Sequence, residues 1–367
     1  MNQEQTTEKN DSPVEAKLVQ VNELLDLAVK LRASDIHLAE GQPIIYRLSG
    51  KLTKIEGIDM LSREQMEHIV FKMAGKANAD HIYALKDFDL SYIHNDGNVF
   101  RMNIFFKRGK LSAALRLIEN KVKTLEELTL PTLCQKFVRQ KQGLVLITGP
   151  TGSGKTTSLS AMIEWINQRF NYHIITIEDP IEVMFTPAKS IFSQRELNED
   201  TLTMGNALKS VLRQDPDIVV IAEMRDPDTI SAAISIAETG HLVFGTLHTS
   251  GAGQTINRIS TAFPPSQQQQ ILDKLADSLV GVMSQRLVSK IGGGRVPLFE
   301  IFENTPAVAH LIRSGDTIQL KNLMTTGSKQ GMFTMEKYAE DLINKGVIDK
   351  EEVQWLFEED DEEETKR

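Results

Sequence analysis

Residues 149–156, GPTGSGKT, match the phosphate-binding pattern GxxxxGK[ST] at every fixed position. The backbone N–H groups of such a glycine-rich turn face a diphosphate or triphosphate. We expect Lys155 to reach the terminal phosphates and the hydroxyl of Thr156 to hold Mg²⁺. The remaining residues of the predicted loop are Gly149, Pro150, Thr151, Gly152, Ser153, Gly154 and Thr157.

The residues on either side of this loop have the pattern of a strand and a helix. Leu144–Ile147 is a short apolar run, typical of a buried parallel strand. Apolar residues then recur at helical spacing through residue 170. The alternative is a chance glycine-rich turn, but the order strand, turn, helix favours a phosphate site.

A second cluster of candidate residues is the stretch TIEDPIE at 176–182, which follows a β-branched run. Its three carboxylates, Glu178, Asp179 and Glu182, would stand at the carboxyl end of a strand, where ligands bind in an open parallel sheet. Acids at that edge can hold Mg²⁺ or orient an attacking water. The alternative, a polar loop with helix-capping acids, stays open.

Glu223 comes just after another apolar run, Ile218–Ile221. A glutamate delivered to the same sheet edge suits water activation or Mg²⁺ coordination. Asp226 stands before Pro227, and the pair is typical of a helix N-cap followed by proline in the first turn. Asp226 therefore has a structural interpretation as well as a chemical one.

Two histidines and three arginines complete the candidate set. His241 and His248 flank an apolar strand, and at about 3.3 Å per residue they are too far apart to bind one metal ion. We interpret them as residues that sense the γ-phosphate or couple its state to other parts of the protein. Arg101, Arg108 and Arg116 would donate to transition-state phosphate charge, or else be surface arginines on an edge strand.

The elements that position these residues divide into two sets. In the first set, Val21–Leu31 has an amphipathic helical pattern, and Ser62 with Gln65 forms a capping box for a second helix. Strands are predicted at 35–38, 44–48, 52–55, 88–93, 99–106 and 111–118. This pattern indicates a small α+β domain with an antiparallel sheet.

In the second set strands and helices alternate, which indicates an α/β domain with a mostly parallel sheet. We predict strands at 144–148, 173–178, 217–222, 242–247 and 296–302. We predict helices at 154–168, 203–213, 227–239, 252–260 and 266–281. The predicted organisation is a disordered N-terminus 1–15, the α+β domain 16–121, a linker 122–141, the ATPase-type core 142–304, C-terminal helices 305–357 and an acidic tail 358–367.

Composition limits the classes of protein that remain. The chain has 367 residues, 41% of them hydrophobic and 25% charged, as in a globular protein. A single cysteine, Cys134, excludes disulfides within the chain and any cysteine-built zinc site, and it favours a cytoplasmic location. The N-terminus lacks the apolar core of a secretory signal. Seven acids at 358–364 account for most of the net charge of −9, so no nucleic-acid partner is expected.

These motifs together resemble the secretion ATPase superfamily and, within it, the PilT family of type IV pilus retraction ATPases. The resemblance spans about residues 20–345. The stretches that carry it are ASDIHL (33–38), FRMN (100–103), GPTGSGKTT (149–157), TIEDPIE (176–182), QRE (194–196), LRQDPD (212–217), AEMRD (222–226) and ETGHLVFGTLHT (238–249).

The resemblance implies a PAS-like N-terminal domain, a RecA-like P-loop ATPase domain and a homo-hexameric ring with ATP and Mg²⁺ between the domains. It implies that Glu178 is the general base, that Glu223 is the Walker B acid, and that His241 and His248 couple the nucleotide to the subunit interface. Arg101 and Arg116 would sense the phosphates. The implied partners are an inner-membrane pilus platform protein and a paralogous retraction ATPase, at the cytoplasmic face of the membrane.

Within the superfamily, the short chain and its single cysteine favour retraction, because assembly ATPases usually carry further N-terminal domains and a four-cysteine zinc module. Two departures from the family pattern bear on function. Ala222 stands where glycine is usual, and residues 307–314, AVAHLIRS, stand where retraction ATPases carry AIRNLIRE. The alternatives are therefore an ATPase of a related secretion or DNA-uptake machine, or an ATP-binding ring regulator with little turnover.

Overall fold

The computed structural model describes residues 20–48, 50–54, 60–118 and 122–357. The chain divides into two compact units, Met1–Glu119 and Asn120–Arg367. The predicted N-terminal disorder, the end of the strand predicted at 52–55 and the acidic tail lie outside the described residues. Among the described helices, none has both the length and the apolar character that crossing a membrane requires.

The first unit is an antiparallel sheet with helices, as predicted. Its helices are α1 (Val21–Leu31), α2 (Arg63–Ala74) and α3 (Ala79–Leu85). Its strands are β1 (Asp35–Ala39), β2 (Ile45–Leu48), β3 (Lys51–Lys54), β4 (Asp87–Ile93), β5 (Val99–Lys107) and β6 (Lys110–Ile118), in the order β3-β2-β1-β6-β5-β4. The capping box of Ser62 and Gln65 is present at the start of α2.

The second unit is built on a seven-stranded sheet in the order β13-β12-β7-β11-β10-β8-β9. All neighbouring strands are parallel except the β12–β13 pair. The strands are β7 (Gly143–Thr148), β8 (His173–Glu178), β9 (Ile191–Glu196), β10 (Ile218–Ile221), β11 (Leu242–Leu247), β12 (Leu279–Ser289) and β13 (Arg295–Glu303). The predicted mostly parallel α/β fold is confirmed.

Helices flank this sheet and extend beyond it toward the C-terminus. They are α4 (Leu133–Phe137), α5 (Lys155–Asn167), α6 (Met204–Val211), α7 (Pro227–Glu238), α8 (Ala252–Thr261), α9 (Pro265–Ser278), α10 (Pro306–Ser314), α11 (Gln319–Thr326) and α12 (Met335–Asn344), with a final 3-10 turn at Lys350–Val353. The segment interpreted as a linker contributes α4, and the buried Cys134 and Phe137 belong to the core of this unit.

Two parts of the predicted element pattern were wrong. The helix predicted at 266–281 ends at Ser278, and the chain passes directly into the long strand β12 at Leu279. Strand β9 was not predicted, because its residues IFSQRE are mostly half-exposed and polar at the sheet edge. Both strands hold side chains that contact the candidate site.

We expect Gly281→Ala, in β12, to lower the free energy of unfolding of the second unit by about 1–3 kcal/mol, the usual cost of overpacking. A Cβ there would lie 2.5 Å from the carbonyl oxygen of Phe302 and would overlap the ring of Phe137. Gly205→Ala in α6 is the control, because its added Cβ has no atom within 4 Å beyond its chain neighbours and the backbone of its own helix. Urea unfolding that ranks the two variants equally would contradict this account of the β12 packing.

Candidate active site

The phosphate loop connects two buried elements of the second unit. Every residue of β7 is buried, and α5 begins directly at Lys155. Gly152 and Gly154 have φ of 76° and 88°, in the left-handed region that favours glycine. A Cβ on Gly149 would lie 2.6 Å from the hydroxyl oxygen of Ser153. The predicted strand, turn and helix are therefore confirmed around a tightly wound loop.

Lys155 carries a buried positive charge inside this loop. Its side chain belongs to a residue only 8% exposed, and Nζ donates hydrogen bonds to the carbonyl oxygens of Gly149 (2.7 Å) and Pro150 (3.1 Å). Burial lowers the pKa of the Lys155 ammonium, and the charges of Glu223 and Glu182 oppose that shift. The loop therefore holds a partly desolvated cation with two carboxylates near it.

Gln285 of β12 supports the loop from the neighbouring strand. Its Nε2 donates to the carbonyl oxygen of Ser153 at 2.7 Å, and its Oε1 accepts from the hydroxyl of Ser158 at 2.7 Å. This one amide thus connects the loop to the first turns of α5. Sequence reasoning missed Gln285, because more than 120 residues separate it from the loop and no local pattern marks it.

A line of polar contacts joins the loop to three predicted motifs. The Oγ1 of Thr151 lies 3.2 Å from Nδ1 of His248, and Nε2 of His248 lies 3.4 Å from Glu223. Arg225 donates to Glu223 at 2.7 Å and lies 3.9 Å from Asp179. The structure therefore brings His248, Glu223 and the acidic stretch 176–182 together at the carboxyl edge of the sheet, as the topology predicts.

Glu223 is held in its charged form. Its pKa is lowered by the hydrogen bond from Arg225, against the effect of burial, and further by the nearby His248 and Lys155. Arg225 was not among the predicted site residues, although it stands two residues after Glu223. Asp226 accepts from the backbone N–H of Thr229 as the N-cap of α7, so its structural interpretation is confirmed.

Glu178 has the opposite electrostatic setting. It is 9% exposed and accepts hydrogen bonds from the hydroxyl of Thr176 (2.6 Å) and the amide of Gln194 in β9 (3.2 Å). Burial raises its pKa, these hydrogen bonds oppose the rise, and the negative charge of Glu182 adds to it. Glu182, the third carboxylate of this candidate stretch, thus acts on both Glu178 and Lys155.

His241 lies apart from the group of residues around the phosphate loop. It precedes β11, and its backbone carbonyl accepts from Gly143 at the start of β7, at the sheet edge opposite the phosphate loop. Its Nδ1 lies 3.2 Å from both the hydroxyl of Thr239 and the carbonyl of Ile236. At about 3.3 Å per residue, β11 separates it from His248 by roughly 20 Å.

The three predicted arginines all lie in the first unit and do not form one cluster. Arg101 and Arg116 are direct cross-strand neighbours, and Arg116 pairs with Asp35 at 2.9 Å. Arg108 lies in the turn between β5 and β6 with φ of 52°. It is roughly 20 Å along the strand from Arg101, at about 3.3 Å per residue. Their predicted role as donors to phosphate charge stays a prediction.

Comparison with known proteins assigns this site to a family. The family model described as type II/IV secretion system protein matches residues 7–293. The type IV pilus retraction ATPase PilT of Pseudomonas aeruginosa is 40% identical over 331 residues, which cover 90% of this chain and 96% of that protein. The chain belongs to the PilT family of secretion ATPases.

Two further members of the PilT family extend the match. A twitching motility protein of Neisseria gonorrhoeae is 40% identical over 326 residues, covering 87% of each chain. The crystal structure of the pilus retraction motor PilT with bound ADP superposes with a TM-score of 0.86 at 39% identity. That superposition covers 91% of this chain and 96% of the other, so the fold and the nucleotide-binding class of the family are shared.

We expect Arg225→Ala to raise the pKa of the Glu223 carboxyl. The pKa of Glu223 is lowered chiefly by Arg225, so removing the guanidinium lets Glu223 gain its proton at a higher pH. Carbon-13 NMR titration of the Glu223 carboxyl measures this change. Arg213→Ala is the control, since the exposed Arg213 donates to the carbonyl of Lys209 at its own helix end. An unchanged pKa of Glu223 in Arg225→Ala would contradict the assigned electrostatics.

Proposed function

We propose that this PilT-family ATPase is a motor that hydrolyses ATP to drive retraction of a type IV pilus. The observation that carries the proposal is the buried Lys155 ammonium, held in the phosphate loop with Glu223 and Glu182 near it. A triphosphate bound at this loop would place its terminal phosphates against that cation. The names of the related proteins, a pilus retraction ATPase and a twitching motility protein, support the retraction function.

The donor set at the sheet edge fits Mg²⁺. The hydroxyl of Thr156 and the carboxylates of Glu223 and Glu178 are hard oxygen ligands, which Mg²⁺ prefers, and Glu223 is held ionised by Arg225. When bound, Mg²⁺ would neutralise phosphate charge. Lys155 and the backbone N–H groups of the loop would bind the terminal phosphates and orient the γ-phosphate for in-line attack by water.

The two acids favour different roles in this mechanism. Burial raises the pKa of Glu178, so its carboxylate is the better acceptor for the proton of an attacking water. Arg225 lowers the pKa of Glu223, so Glu223 stays charged and suits the metal side of the site. We therefore assign Glu178 as the general base and Glu223 as the Walker B acid.

His248 connects hydrolysis to the rest of the molecule. It contacts Thr151 in the phosphate loop on one side and Glu223 on the other, so a change at either one reaches its ring. We assign His241, Arg101, Arg108 and Arg116 to contacts made in a homo-hexameric ring, where nucleotide state would move one subunit against the next. The ring would dock on a pilus platform protein at the cytoplasmic face of the inner membrane, alone or with a paralogous ATPase.

Helix α10 supports a second candidate function. It covers residues 306–314, where the family's retraction motif would lie, and Ala309 is buried there at 8% exposure together with Val308 and Ile312. Arg313 pairs with Asp277 of α9. An alanine in place of the motif's arginine leaves the helix packed but removes a charge. This change favours an ATPase of a related secretion or DNA-uptake machine, or a ring regulator with little turnover.

We expect Lys155→Ala to reduce steady-state phosphate release from ATP by about 100-fold or more, because it removes the charge that stabilises the transferred phosphoryl group. Lys141→Ala is the matched control, since the exposed Lys141 lies before β7 at the opposite sheet edge. Equal and near-zero release by the wild type and Lys155→Ala would remove the motor function and leave the ring regulator. In cells, we expect a strain that lacks this protein to carry excess pili and to lose twitching motility.

We expect the full chain to form a hexamer when ATP is present, because His241 lies at the sheet edge opposite the phosphate loop and would act across subunits. Size-exclusion chromatography with light scattering measures this mass directly. Six chains per particle at micromolar concentration is the expected result. A monomer at every concentration with ATP present would contradict the ring.

A further inference from the structure

A row of buried hydroxyl groups lies between the base of the phosphate loop and the segment that follows His248. At one end of the row, the hydroxyl of Thr148, the last residue of β7, lies 2.7 Å from the hydroxyl of Ser284 in β12. At the other end, the hydroxyl of Thr249 lies 2.7 Å from that of Thr255 in α8. The side-chain oxygens of Thr255 and Thr148 are 3.5 Å apart, which brings the two pairs together. All four hydroxyl-bearing residues are buried.

Thr255 is the central residue of this row and is fully buried. Its hydroxyl donates to the carbonyl oxygen of Gly251 at 2.7 Å, so its oxygen is left to accept from the hydroxyl of Thr249. A buried hydroxyl without an acceptor costs free energy. The side-chain oxygen of Thr255 therefore fixes the place of Thr249, the residue directly after His248.

The start of α8 is fixed from a second direction. Oε1 of Glu300, in β13, accepts from the backbone N–H of Ala252 at 2.6 Å. On the other side of the segment, β11 ends at Leu247 and is buried along its whole length. The residues between Leu247 and Ala252, which include His248, are therefore held at both ends and, through Thr249, in the middle.

We propose that Thr255 is a positioning residue for ATP hydrolysis, whose hydroxyl sets the distance between His248 and the phosphate loop. The hydroxyl row joins Thr249, the neighbour of His248, to Thr148, the neighbour of the first glycine of the loop. These two parts of the site are therefore held against each other from within the core. The inference rests on the proposed ATPase function, and Thr255 acts in it through His248.

The position of His248 matters because its ring contacts two parts of the site. Nδ1 lies 3.2 Å from Oγ1 of Thr151, and Nε2 lies 3.4 Å from Glu223. Both distances are near the upper end of the hydrogen-bond range, so a small shift of the ring would break at least one contact. A misplacement of about 1 Å can cost about 100-fold in rate. Loss of the Thr255 hydroxyl should therefore lower the rate of hydrolysis and leave binding of ATP at the phosphate loop largely intact.

Thr255→Val tests this role, because valine keeps the shape of the side chain and removes the hydroxyl. We expect kcat for ATP hydrolysis to fall about 10-fold and KM for ATP to stay within about 2-fold of the wild-type value. Thr255→Ser keeps the hydroxyl and should restore most of kcat. Thr261→Val is the matched control, since the exposed Thr261 lies in the same helix and makes the same type of bond, to the carbonyl of Asn257 at 2.8 Å.

A double-mutant cycle with His248→Ala shows whether Thr255 acts through His248. Both residues are changed singly and together, and kcat is measured for each variant that urea unfolding shows to be folded. We expect Thr255→Val to lower kcat about 10-fold in the wild-type background and less than about 2-fold in His248→Ala. Thr249→Val removes the same hydrogen bond from its other side and should reproduce the loss, so the test stands even where Thr255→Val does not fold.

An equal loss of kcat in the two backgrounds, or a wild-type kcat in Thr255→Val, would overturn the positioning role and leave the ATPase function in place. A loss in Thr255→Val that Thr255→Ser fails to restore would overturn it as well. A wild-type protein that releases no phosphate from ATP would remove the proposed function and this inference with it.

Discussion

The structure of the site depends on one buried charge, the ammonium of Lys155. A cation with so little solvent around it must be compensated by nearby acceptors and anions. Two loop carbonyls accept hydrogen bonds from it, and Glu223 and Glu182 supply negative charge. A bound triphosphate would offer stronger anionic acceptors at the same place, so the loop is arranged to exchange weak internal contacts for strong ones with the nucleotide.

The sheet order explains why the acids meet this charge. Strand β7 lies between β12 and β11, and β10 and β8 follow on the β11 side, all parallel to one another. Their carboxyl ends therefore share one edge, where the phosphate loop, Glu178, Glu223 and His248 emerge. The same rule sends His241, at the amino end of β11, to the opposite edge. The buried strand β11 thus runs from the sheet edge at His241 to the opposite edge, where the phosphate loop and His248 lie.

The local parts of this site were predictable from sequence, and the non-local parts were not. The phosphate loop, the strand before it and the helix after it are encoded within about 25 residues. The N-cap of α7 at Asp226 is encoded within about four residues. By contrast, Gln285 and Gln194 reach the site from distant segments, and their roles follow only from tertiary packing. β12 escaped prediction because no turn residue separates it from α9, and β9 because its polar pattern is that of an exposed edge.

Glu178 and Glu223 show how burial and hydrogen-bond partners give two residues of one type different pKa values. Both stand at strand ends and look equivalent in sequence, yet burial raises the pKa of Glu178 while Arg225 lowers that of Glu223. Sequence left open which of them is the base. The difference in pKa favours Glu178, because a carboxylate with the higher pKa takes a proton from water more readily.

The most direct test is a crystal structure of the full chain with Mg²⁺ and a non-hydrolysable ATP analogue. We predict that Nζ of Lys155 leaves the carbonyl oxygens of Gly149 and Pro150 and binds the terminal phosphates, with Glu223 on the metal side and Glu178 facing the γ-phosphate. A nucleotide bound elsewhere, with Lys155 still on those two carbonyls, would contradict it.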